Sequence, residues 1–170
     1  MLDSTPLRRL AAMMFPGLLA LAGGCATLAP GGLPPGTKIA QARQALFGPT
    51  GEYALAGGGT RLEFAHGGLA KQTYMLDFDR NGVLVSSTQV LTESNLATIA
   101  PGMPASELRM RFGRPVRVFG VNYPRGQVWN YRYAGGDCVW YQVTIGDADQ
   151  RVIEAGIGTD PICDGRNDRE

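Results

Sequence analysis

The sequence predicts an α+β fold of tandem helix-then-antiparallel-strands repeats, with the helices packed on one face of an antiparallel sheet. Three observations predict it. A Pro-Gly opening leads to a Phe-Gly frame twice, from Gly36 to Gly48 and from Gly102 to Gly113. Alternating apolar runs broken by double glycines follow each frame, at Gly67-Gly68 and Gly135-Gly136. Each copy then closes with an acidic turn and a last strand. Twenty-four glycines and a charged fraction of 18% also favour short strands and turns over long helices.

The chain opens with Arg8 and Arg9, a mostly apolar run from Leu10 to Leu21, and small residues up to Cys25. The run is shorter than the about 20 residues a bilayer span needs. Residues 1–24 read as an export signal, and Leu21-Ala22-Gly23-Gly24-Cys25 resembles the lipobox of bacterial lipoproteins. That resemblance implies cleavage before Cys25 and lipid, palmitate included, on its sulfur. Ala26 stands where an aspartate would imply inner-membrane retention, so the outer membrane, facing the periplasm, is expected. Residues 25–35, with Pro30, Gly31, Gly32, Pro34 and Pro35, read as a tether that no helix or central strand can use.

Residues 36–90 form the expected first repeat. Ile39, Ala42 and Leu46 share one helical face. Gly48 then suits a left-handed helix end, with Pro49 beyond it. Leu62, Phe64 and His66 alternate, Thr73 to Phe78 is a second strand, and Asp79-Arg80-Asn81-Gly82 turns the chain into a third from Val83. Residues 91–158 form the second repeat. Residues 91–99 read as a helix capped by Thr92. Pro104 suits the first turn of the next helix, whose apolar face holds Leu108 and Phe112 and which Gly113 ends. Trp129, Tyr131 and Tyr133 alternate, and Val139 to Ile145 follows. The turn Asp147-Ala148-Asp149-Gln150 leads to a strand from Val152. One sheet face is expected to bury Leu62, Phe64, Trp129 and Tyr131 together. Residues 159–170 are a C-terminal tail.

Leu91-Thr92-Glu93, Ile99 to Met103, Phe112-Gly113-Arg114-Pro115 and Trp129-Asn130-Tyr131 together resemble the SmpA/OmlA (BamE-like) family of small outer-membrane lipoproteins. The resemblance spans residues 88–156, with residues 36–87 as a degenerate second copy. The tandem is similar to the β-lactamase-inhibitor-like architecture. What this implies is a periplasm-facing interaction module, an accessory of outer-membrane protein assembly or envelope integrity, with an envelope protein as partner. The inhibitor-like architecture implies the alternative, a binder or inhibitor of a periplasmic enzyme, for which Trp129, Tyr131, Tyr133, Trp140 and Tyr141 are candidate contacts.

With residues 1–24 removed, fourteen basic and fourteen acidic residues remain. A neutral chain carries no overall pull toward nucleic acid, and none is expected as a partner. Once lipid takes Cys25, Cys138 and Cys163 are left as an even pair in an oxidising compartment. They read as a disulfide, with two free thiols or a metal pair as the alternatives. The only histidine, His66, lies in a strand pattern without a nucleophile partner, so no catalytic residue, enzyme activity or cofactor is expected. Asp77-Phe78-Asp79-Arg80-Asn81-Gly82 begins like a calcium loop but has Thr88 where a bidentate Glu belongs, so no metal is expected. The uneven feature is a basic stretch: Arg109, Arg111, Arg114 and Arg117 are candidates for an anionic partner, either acidic protein or anionic lipid headgroups. The alternative is a solvated face paired with the acids downstream.

Overall fold

The computed structural model of the chain describes residues 29–65, 71–160 and 163. Two antiparallel four-stranded meanders dominate it. The first has β1 (Gly51–Ala54), β2 (Thr60–Ala65), β3 (Thr73–Phe78) and β4 (Leu84–Gln89) in sequence order. The second has β5 (Arg117–Asn122), β6 (Arg125–Arg132), β7 (Val139–Gly146) and β8 (Val152–Thr159), again in order. The helices are short: α1 (Ile39–Ala45), α2 (Glu93–Leu96) and α3 (Ala105–Phe112), with one 3₁₀ turn at Pro30–Gly32.

This corrects the expected fold class. The chain is not a tandem of helix-then-strands repeats with helices lying on one face of an antiparallel sheet. Strand accounts for 44% of the described residues and helix for 18%. The physical reason lies in two edge strands with weak patterning. β1 has four residues, starts on a glycine and alternates only between half-buried and exposed. β5 carries Arg117 and Gly120 and is largely exposed. Edge strands are commonly short or charged, which weakens the apolar alternation that marks a strand. Adding them makes each sheet a complete meander. Leu62 and Phe64 therefore sit in one core and Trp129 and Tyr131 in another, not on one shared face. The residue 91–99 helix also shortens to α2, which Thr92 does cap, its hydroxyl accepting from Asn95 N–H at 3.2 Å.

Strand register assigns the faces, since directly paired residues point the same way. Leu62 pairs with Leu76, and Phe64 with Tyr74. This face of the first sheet packs against Ala42 and Leu46 of the α1 segment. The 3₁₀ turn lies on the same side. Leu33 packs on that cluster, Ser87 Oγ donates to Pro30 O at 3.1 Å, and a Cβ on Gly31 would lie 2.8 Å from the Tyr74 ring. The described part of the Pro/Gly segment is thus docked from Pro30 onward.

The opposite face of the first sheet carries Tyr53, Arg61, Glu63, Met75 and Asp77. It meets α3: Met75 joins the core built by Leu108 and Phe112, and Arg61 Nη1 donates to Met110 O at 2.8 Å. The other side of α3 packs on Trp129, Tyr131 and Val143 of the second sheet. The order across the molecule is α1, first sheet, α2 and α3, second sheet. The outer face of the second sheet, carrying Phe119, Asn130, Trp140 and Gln142, ends the stack.

Candidate interaction surface

β8 is an edge strand of the second sheet, bonded to β7 along its length and to no other described strand. It reads Val152-Ile153-Glu154-Ala155-Gly156-Ile157-Gly158-Thr159, with one charge and no proline. Ile157 is 62% exposed and Ile153 is 39% exposed. Past Val152, whose N–H and C=O are bonded to Met103 and Gly102, this edge offers a row of unpaired backbone groups to another strand. Gly158 leaves room for the Gln142 amide, which donates to Asn130 Oδ1 at 2.9 Å; a Cβ there would push that side chain aside.

Beside β8 runs a shallow groove of about 390 Å³ lined by Phe119, Val128, Gln142, Thr144, Glu154 and Ile157. Its floor is rigid. Phe119 stacks near-parallel on Trp140 with ring centroids 6.2 Å apart. Arg117 lies 4.8 Å from the centre of the Phe119 ring and Arg132 lies 5.2 Å from that of Trp140. The column thus reads arginine, aromatic, aromatic, arginine, each cation over a ring face. Arg132 also forms a two-point pair with buried Asp160, Nε to Oδ2 at 2.6 Å and Nη2 to Oδ1 at 3.1 Å. Asp160 N–H donates to Cys138 O, which ties the end of β8 to the start of β7.

Cys138 and Cys163 are disulfide-bonded, with Cα atoms 5.5 Å apart, so the pair is neither free thiols nor a metal site. Cys25 and His66 lie outside the described residues. The four arginines singled out by charge do not form one surface. Arg109 lies 4.8 Å from the centre of the Trp129 ring on the inner face of the second sheet. Arg111 donates to Thr98 Oγ1 at 2.6 Å and sits 3.5 Å from Glu107. Arg114 is exposed beyond α3, and Arg117 belongs to the outer column. Only Arg109 and Arg114 share surroundings, both acting electrostatically on the Tyr53 hydroxyl.

The expected aromatic contacts are mostly core. Trp129, Tyr131, Tyr133 and Trp140 are each at most 5% exposed, and Tyr141 is half-buried. Among the described residues the exposed aromatics are Phe47 at 99% and Tyr123 at 96%. No periodicity marks either, since each sits at a turn. Asp77 and Asp79 face separate partners: Asp77 pairs with Arg61 at 2.6 Å, and Asp79 Oδ1 accepts from Asn81 and Val83 N–H. Those backbone donors hold the Asp79 carboxyl below the usual carboxylate range. Among the described residues, no group of three metal-binding side chains occurs and no helix is long and apolar enough to cross a membrane.

No protein-family model matches the chain. No curated protein matches it either. A solved cysteine-rich secretory protein from Staphylococcus aureus subsp. aureus Mu50 aligns at 14% identity over 75% of this chain and 44% of that one, with a TM-score of 0.28. This chain therefore spans less than half the length of that protein, and so low a score carries no argument about either.

Proposed function

We propose that the protein is a lipid-anchored envelope protein of the outer membrane, facing the periplasm and acting as a non-catalytic interaction module for another envelope protein. The anchoring rests on the lipobox resemblance around Cys25, and the accessory role in outer-membrane protein assembly on the SmpA/OmlA (BamE-like) resemblance of residues 88–156. The observation that carries the binding role is β8: an exposed, nearly uncharged edge strand beside a groove floored in part by the stacked Phe119 ring. Such an edge suits an extended client segment that adds a strand, with main-chain hydrogen bonds supplying affinity and the groove selecting alternate side chains. Strands of outer-membrane barrels alternate in the required way.

A photo-crosslinking residue at position 157, activated in native membranes, tests this reading. The expected product joins position 157 to an extended segment of an outer-membrane β-barrel protein, and Ala155→Pro, at a position whose N–H points away from β7, abolishes it. Crosslinks only to unrelated proteins, together with unchanged barrel-protein levels in a deletion strain, would overturn it.

A further inference from the structure

We propose that the α1 side of the molecule lies against the membrane, with Phe47 entering the lipid interface, so that the outer face of the second sheet and β8 point away from it. The proposal deepens the reading above and rests on its acylated Cys25. Only five chain steps separate Cys25 from Pro30, which is buried against the first sheet. Fully extended, they reach about 17 Å. The leash meets the fold on the α1 side, where Leu33 and the Tyr74 ring hold it. The second sheet lies three layers further on, and layers stack about 10 Å apart. Its outer face is thus about 30 Å from the leash side, beyond the reach of a leash of this length.

The surface on the leash side has the chemistry for a lipid. From Ala26 to Gly51 there is no acidic residue, while Lys38 and Arg43 are basic. The exposed positions of α1 are Ala40, Gln41, Gln44 and Ala45. Arg43 is paired at 2.6 Å with Glu52 just beyond this stretch, so Lys38 is left to attract anionic headgroups. Phe47 follows directly. Leu46 turns into the core at 4% exposure, and Phe47 then adopts φ +58° and stands 99% exposed. A bulky side chain at positive φ is an outlier that a glycine would relieve. One exposed apolar residue is ordinary on a protein surface. This one is fully exposed, conformationally costly and on the side to which the leash is fastened, where an aromatic ring gains by entering the interface.

The test uses the full acylated chain in mixed phosphatidylethanolamine–phosphatidylglycerol vesicles with a nitroxide-headgroup lipid as quencher. Ala45→Cys and Ile157→Cys each supply one thiol for a fluorophore, with Cys138–Cys163 left oxidised. Severalfold stronger quenching is expected at position 45 than at 157, and adding Phe47→Ser to the Ala45→Cys protein should weaken it. Equal quenching at both positions, stronger quenching at 157, or no effect of Phe47→Ser would overturn the proposal. The intact mass of the same sample separates the two failures. An acylated protein with even quenching loses only the orientation, whereas an absent acyl mass removes the anchoring and the orientation with it.

Discussion

The hydroxyl of Tyr53 donates a 2.6 Å hydrogen bond to Oε2 of Glu63, in the seam where the first sheet meets the end of α3. Glu63 is fully buried and gathers two more donors at its other oxygen, Thr50 Oγ1 at 3.1 Å and Arg114 N–H at 3.2 Å. Removing the carboxyl would strand the Tyr53 hydroxyl and the Arg114 N–H, while Thr50 Oγ1 keeps the Glu63 backbone carbonyl at 3.1 Å. Glu63→Ala should therefore cost about 3 kcal/mol, and Glu63→Gln, which keeps the shape, about half of that. Urea titration of both variants checks the ranking. Equal losses would mean that packing, not hydrogen bonding, sets the value of this site.

The same seam gives an alkaline signature. Burial, then the hydrogen bond and charge of Glu63, hold the Tyr53 phenol above the ordinary tyrosine range. Burial does the same for Tyr131, whose hydroxyl donates to Gly113 O at 3.3 Å. A pKa raised in the folded state contributes stability that is complete below the unfolded value of about 10 and disappears as pH rises through the folded one. Absorbance titration of the six tyrosines should show Tyr53 and Tyr131 ionising last, together with unfolding. Tyr53→Phe should flatten the fall of stability above that pH. If every tyrosine titrates at its ordinary pH while the protein stays folded, the seam is open to water.

Gly113 ends α3 at φ +79°, and a Cβ there would lie 2.8 Å from Glu63 Cδ. Gly113→Ala meets both a backbone penalty and a clash with a buried group, for an expected loss of about 2–3 kcal/mol. Thermal unfolding against Gly36→Ala provides the control, because position 36 has a similar φ and nothing within 4 Å of the added carbon. The control should lose about 1 kcal/mol. Comparable losses in both would leave the Glu63 contact without weight.

The Cys138–Cys163 bond closes a 25-residue separation and should contribute about 3 kcal/mol by restricting the unfolded chain. Cys138→Ser and Cys163→Ser should lower the urea midpoint equally, and reductant should bring the parent to the same value while leaving both variants unmoved. Unequal variants would show that one cysteine also serves the packing around Asp160.

Much of the core was legible because its periodicity was strong: Ala42 and Leu46, Leu108 and Phe112, and the alternating Trp129, Tyr131 and Tyr133 are all buried. Sheet organisation was not, because β1 and β5 hide their pattern in glycine, arginine and exposed positions. Charge counting drew attention to Arg109, Arg111, Arg114 and Arg117, but a helix and a strand aim consecutive arginines in different directions, and sequence proximity does not distinguish them. The Glu63 site had no local signal at all. Its donors come from residues 50, 53 and 114, and only the packing of α3 on the first sheet brings the last of them near.

Because α3 is a wall common to both sheets, neither half can finish alone. The N-terminal half is made first and reaches its destination first. Until α3 follows, the face bearing Glu63 and Met75 has water where the helix will be. The carboxyl stays hydrated, and its burial awaits the later half of the chain. A polypeptide cut between β4 and α2 should thus give a first fragment that leaves this acidic, half-apolar face uncovered, and mixing it with the second fragment should restore a single cooperative transition.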